Sequence, residues 1–181
     1  TYAVEPCSNF AKLTNEKGYK TYNNFWNLSL ANKIKLKHGD IDLIYSANCM
    51  CHIQDLKDAF DAVSTVLGNE GVFIFEDPSL SKMINRNSYD QIYDEHAHIF
   101  SVMALKNLLI ESNLEVFRVE HLDVHGGSNR IYACHKGSKT IEKSVYEALK
   151  VEKSLGLDRL VTYTKFAKRV EKSKNDLLKY L

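Results

Sequence analysis

The chain has 181 residues, is 44% apolar and 26% charged, and carries a net charge of +1. That length suits one α/β domain burying roughly 70% of its extended-chain surface. The near-neutral balance argues against a nucleic-acid footprint or an acidic solvating tail, and no apolar run approaches the ~20 residues of a membrane span.

Taken in order, Tyr2-Ala3-Val4-Glu5-Pro6 reads as the end of a strand, with Pro6 opening a helix over 7–17 that Gly18 closes. A short strand, Tyr19 to Asn23, precedes a helix from Leu28 to Lys37. Ile41–Ser46 reads as a buried strand. Asp55 to Leu67 is an amphipathic helix with Leu56, Phe60, Val63 and Leu67 on one face. Gly71–Asp77 is a second buried strand. Strands alternating with helices predict a mostly parallel sheet with helices on both faces.

The pattern then changes. Val102 to Ser112 is helical, and Glu115–Asp123 and Asn129–Lys136 form an antiparallel pair across a short connection. After Gly137 the chain turns helical to its end, with Leu160, Tyr163, Phe166, Val170, Leu177 and Leu181 in one stripe that wants a partner, either a further domain or another chain. From Lys150 onward nine Lys/Arg stand against four Asp/Glu among apolar residues, which reads as a solvated helix face. The N-terminus shows no basic or apolar leader, so a cytoplasmic protein is expected. Cys7, Cys49, Cys51 and Cys134 are expected to be reduced, buried thiols. Cys49-Met50-Cys51-His52 is one residue short of a haem-attachment motif, and no second cysteine pair completes a zinc site.

Chemistry concentrates in two places. Ser88-Tyr89-Asp90-Gln91-Ile92-Tyr93-Asp94-Glu95-His96 holds two phenols, three carboxylates and an imidazole. His125-Gly126-Gly127-Ser128-Asn129-Arg130 holds an imidazole, a Gly-Gly turn, a hydroxyl and a guanidinium. Together they suit proton transfer on a polar, anionic substrate. His96 with Glu95 reads either as a general base with its neighbour or as a surface pair on a helix end. Tyr93, three residues before His96, shares its face on a helical turn, and Tyr89 extends that face. Tyr93 is equally a core phenol with a satisfied hydroxyl. The Gly-Gly pair lets backbone N–H groups approach an anion that Arg130 grips, or it is a hairpin turn. Asn48 and His52 follow a strand at a carboxyl end, where parallel sheets bind ligands. No metal is expected, since neither HExxH nor a facial triad is present.

These residues resemble the nucleotide-sugar C-methyltransferases, which methylate C3 of a 4-keto-deoxysugar. The resemblance runs through Val4–Asn9, Asp42–Asn48 with His52-Ile53, Phe75–Pro78, Tyr89–His96 and His125–Ser128 with Arg130. It implies a class I methyltransferase sheet, Rossmann-like, mostly parallel with a terminal antiparallel pair and followed by long helices. It implies S-adenosylmethionine as cofactor and a nucleotide sugar as substrate. His96, Glu95 and Tyr93 are then catalytic, Glu5, Asn24 and Asn48 hold the cofactor, and His52, Tyr89, His125, Gly126, Gly127, Ser128 and Arg130 line the substrate. Members also carry an N-terminal zinc-binding segment, a first strand with a Gly-rich turn, and a second Rossmann-like domain. None is found in this sequence, so 1–137 reads as a partial methyltransferase domain and 138–181 as a helical extension. Two functions follow: a C-methyltransferase or fragment of one, working through a base-generated enolate, or a non-catalytic remnant that keeps a sugar-nucleotide surface. No nucleic-acid or membrane partner is expected.

Overall fold

The computed structural model describes residues 1–181. The elements are β1 (Tyr2–Val4), α1 (Ser8–Glu16), β2 (Lys20–Tyr22), α2 (Leu28–His38), β3 (Ile41–Ala47), α3 (Leu56–Val66) and β4 (Leu67–Pro78), then α4 (Leu80–Arg86), α5 (Val102–Glu111), β5 (Leu114–Leu122), β6 (Ser128–His135), α6 (Lys143–Leu155) and α7 (Leu160–Leu178). Helix starts follow from capping side chains. Asn27, Asp55 and Ser101 accept from the backbone N–H groups of Leu30, Asp58 and Ala104. No helix is long and apolar enough to cross a membrane.

The strands form two sheets. One is the parallel pair β1–β2; the other has the order β3-β4-β6-β5. β3 and β4 run parallel, and β6 runs against both β4 and β5. Alternation along β4 sends Phe73 and Phe75 into a core with Phe60, Val63, Leu105, Leu109 and Ile131. Phe73 and Phe75 stack at 4.9 Å. Helix α2 brings the two sheets together: Leu30, Ala31 and Ile34 pack with Val4 and Tyr22 from one and with Ile41 and Ile44 from the other.

Three expectations are corrected here. β3 is not a buried strand, because it is an edge: it pairs only with β4, and its Leu43 and Tyr45 are 57% and 59% exposed. The four-stranded sheet is not covered on both faces. The core lies on the α3, α5 and α6 side, whereas Leu43, Tyr45, Val72 and Ile74 join no hydrophobic cluster. The chain after Gly137 is not one continuous helix, and its apolar stripe finds only part of its partner within the chain. Gly156 takes the left-handed conformation (φ 69°) and divides α6 from α7. Tyr163, Phe166 and Val170 pack on Met83, Ile84 and Leu157, but Leu160, Leu177 and Leu181 stay exposed.

One buried charge joins the C-terminal helices to the rest. Glu152, 2% exposed, accepts from the N–H groups of Val102 (2.7 Å) and Met103 (2.8 Å). A carboxylate here pairs two otherwise orphaned donors and meets the positive end of the α5 dipole. Burial nevertheless pushes its pKa above the ordinary carboxylate value, although the two N–H groups pull it down. Glu152→Ala should cost about 3 kcal/mol, because two donors lose a charged acceptor; urea unfolding measures this. A raised folded pKa makes this carboxyl's contribution largest below about 4.5 and smaller as pH climbs through the raised value. Glu152→Gln should flatten that part of the stability–pH curve.

Candidate active site

The carboxyl end of β4 gathers the site. Ser79, just past it, donates its N–H to Gly127 O (3.0 Å), and Leu80 N–H donates to Phe100 O (2.8 Å). These bonds hold the 123–128 turn and the 87–100 segment against the same strand end. The segment also lies on the loop after β3, since His98 N–H donates to Cys51 O (3.0 Å).

Tyr93 and His96 do face each other, but on a tight turn rather than a helix. His96 N–H donates to Tyr93 O, and residues 92–98 are irregular. Their side chains meet with Tyr93 Oη 2.9 Å from His96 Nε2. His96 Nδ1 lies 2.8 Å from Gln91 O, and a carbonyl only accepts, so Nδ1 carries the proton. The neutral ring therefore has its lone pair on Nε2, and Tyr93 donates to it. The His52 ring lies 5.0 Å away by centroids. His52 Nδ1 donates to Glu95 O (2.6 Å), which likewise leaves Nε2 open. The Glu95 backbone thus positions His52, while its side chain is exposed.

Beneath these rings lie two groups that sequence reasoning did not assign to the site. Asp77, 3% exposed, accepts Cys51 N–H through Oδ1 (3.2 Å), while Oδ2 has no partner. Burial raises the Asp77 carboxyl, tempered by its hydrogen bonds from Cys51 and by the imidazoles of His52 and His96. Burial, then Asp77, pushes the Cys51 thiol well above its ordinary range. An acid closing an apolar strand was the available signal for Asp77. Not all the thiols are buried, however: Cys7 and Cys49 are exposed because they sit in turns at strand ends, and all four cysteines are free.

The 123–128 turn joins this cluster. His125, Gly126 and Gly127 all have positive φ (50°, 76° and 115°). A Cβ built on Gly126 would lie 3.8 Å from both Gln91 Nε2 and Ser88 Oγ. Gly126 O accepts from Arg86 (2.8 Å), and buried Ser128 closes the turn on Val124 O (3.2 Å). Two expected substrate groups point elsewhere. Arg130 is committed to carboxylates: Nε donates to Glu76 (2.7 Å) and Nη1 to Glu120 (3.2 Å). Its charge is neutralised in the sheet, so it is not a free diphosphate grip. Tyr89 lies in a short 3-10 turn, and its hydroxyl faces Ser173 of α7 (3.4 Å), so it does not extend the Tyr93 face.

Glu5, Asn24 and Asn48 stand at the carboxyl ends of β1, β2 and β3. Glu5 Oε1 accepts Cys7 N–H (2.8 Å), leaving the second oxygen for a ligand hydroxyl. Asn48 adopts φ 48°, and its N–H donates to Glu76 O (2.7 Å). Asn24 is exposed, its N–H turned back to Tyr22 O (3.0 Å).

The fold is that of the class I S-adenosylmethionine-dependent methyltransferases. It matches such an enzyme from Clostridium acetobutylicum with TM-score 0.55 and 16% identity, over 76% of this chain and 75% of that one. It also matches the O-methyltransferase of a trans-AT PKS multienzyme from Brevibacillus brevis, in complex with S-adenosyl-L-homocysteine, with TM-score 0.55 and 14% identity over 84% of this chain and 64% of that one. In sequence, residues 1–119 match the family described as methyltransferase domain, and 123–181 match the C-methyltransferase C-terminal domain. The chain is 32% identical over 170 residues to the C-methyltransferase NovU of Streptomyces niveus, covering 93% of this chain but only 40% of that protein's length. The chain belongs to the S-adenosylmethionine-dependent C-methyltransferase family.

S-adenosylmethionine is the family's cofactor, and the residues fit it in part. Glu5 and Asn48 suit the polar adenosine half. The methionyl half calls for a Gly-rich backbone turn, and no strand joins the β1–β2 pair to the four-stranded sheet to carry one.

Gly127 is the most constrained point of the turn. A Cβ there would stand 2.8 Å from Cβ and Cγ of Lys82, at φ 115°. Gly127→Ala should therefore destabilise the chain by about 1–3 kcal/mol, read from the shift in its thermal or urea midpoint.

Proposed function

We propose that this chain is the substrate-facing part of a C-methyltransferase that methylates the carbon beside the ketone of a nucleoside-diphosphate 4-keto-deoxysugar. The observation that carries this is the locked tautomer of His96. Its Nδ1–H is fixed on Gln91 O, and its Nε2 lone pair lies beside the Tyr93 hydroxyl.

The chemistry follows from those positions. His96 Nε2 removes the hydrogen from the carbon next to the ketone. The C–H electron pair moves onto the carbonyl oxygen, forming an enolate. Once Nε2 is protonated it no longer accepts from Tyr93, so that hydroxyl turns to the enolate oxygen. Asp77, buried below, lies close enough to this ring to interact with it electrostatically. Bound S-adenosylmethionine would supply an electrophilic methyl on a sulfonium whose leaving group is a neutral thioether. Glu5 and Asn48 hold the adenosine side, with Asn24 at its rim. His52 and the turn His125-Gly126-Gly127-Ser128 wall the sugar side. In this reading 1–137 is a partial methyltransferase domain, 138–181 its helical extension, and the setting cytoplasmic.

Incubation with such a keto-sugar in heavy water, without methyl donor, should exchange the α-hydrogen for deuterium. By NMR, His96→Asn should slow that exchange at least ~100-fold. Undiminished exchange in the variant removes His96 from the role.

The divided sheet favours a second reading, a sugar-nucleotide-binding remnant without catalysis. Calorimetric titration with S-adenosylhomocysteine separates the two. Binding tighter than about 100 μM, about −5.5 kcal/mol, is expected for a usable cofactor pocket. No heat from the folded chain supports the remnant.

A further inference from the structure

The Cys49-Met50-Cys51-His52 segment carries more than the methyl-transfer reading uses. One ligand atom from each of Cys51, His52 and His96 lies within 4.8 Å of the other two. Both imidazoles fix their Nδ1–H on a backbone carbonyl, Glu95 O for His52 and Gln91 O for His96. Metal-binding histidines are held in this way, with one nitrogen tethered and the other presented. Asp77 lies close to these groups. It is 3% exposed, grips Cys51 N–H, and leaves Oδ2 without a partner. His98, adjacent in sequence, does not join, since its Nε2 faces Gln54 O (3.3 Å).

We propose that Cys51 Sγ, His52 Nε2 and His96 Nε2 form a three-ligand site for a thiolate-preferring divalent cation of the zinc class. One thiolate and two imidazoles are ligands such an ion takes in tetrahedral sites, with the fourth position left to water. On binding, the Cys51 S–H bond breaks, its proton leaves to solvent, and a sulfur–metal bond forms. The Tyr93 hydroxyl swings off His96 Nε2 as the metal takes that lone pair. Exposed His52 is on the entry side and buried Cys51 is the floor. The proposal stands on geometry alone and does not rest on the methyl-transfer reading. Where both hold, the ion silences the base.

The metal-free chain is titrated with Co²⁺, then back-titrated with Zn²⁺. The expected result is one Co²⁺ per chain, with a thiolate charge-transfer band in the near ultraviolet and intense visible bands of tetrahedral type. Zn²⁺ should displace it with a Kd below about 10 μM. Cys51→Ser should abolish the charge-transfer band, and His52→Asn should weaken binding at least ~10-fold. His98→Asn should leave binding unchanged. A pale octahedral spectrum without a thiolate band overturns the site, as does equal affinity in His52→Asn. If Cys51→Ser fails to fold, the His52 variant decides alone, since that side chain is exposed.

Discussion

The pairing of β4 with a parallel strand on one side and an antiparallel strand on the other is the constraint on which the structure depends. β4 carries the apolar core through Phe73 and Phe75 and ends in a cluster of polar groups. Asp77, Ser79 and the residues just past them receive the loop after β3, the 87–100 segment and the 123–128 turn. A strand buried on its core face is nearly immobile, so the irregular pieces bonded to its end inherit a fixed geometry. The Tyr93–His96 pair needs this anchoring, because it sits on a turn that has no helix or sheet of its own.

The division into two sheets gives the protein an unequal site. At the end of β4, the imidazoles, the phenol and the glycine turn are held by hydrogen bonds to backbone groups of neighbouring segments. Glu5 and Asn48, by contrast, stand on different sheets that share no ladder. A small cluster of α2 and α3 residues, packed against Val4 and Tyr22 on one sheet and Ile41 and Ile44 on the other, relates them. The geometry around His96 is thus better defined in this chain than the relation between Glu5 and Asn48.

Much of this was legible in the sequence, for reasons that differ by element. Helix and strand periodicity located α2, α3 and β4, since core burial imposes those periods directly. The two reactive patches were visible as dense polar runs, and Gly126 does lie next to Ser88 and Gln91. Exposure of β3 was not legible, because its apolar residues look alike whether or not a neighbour strand is present. The turn at 93–96 was misread as helical since i, i+3 spacing serves both. Arg130 looked free because its partners Glu76 and Glu120 come from two other strands. Glu152 left a faint trace: Val145, Ala148 and Glu152 share one buried helical face, where an acid is out of place.

That buried glutamate also orders events in time. The first turn of α5 leaves two N–H groups unpaired until a side chain fifty positions further along arrives. During synthesis, residues past Glu152 must leave the ribosome before α5 is secured at its start. The sheet that α5 covers is thus sealed only once α6 has emerged, and a nascent chain stalled short of α6 would expose its phenylalanine core to chaperones.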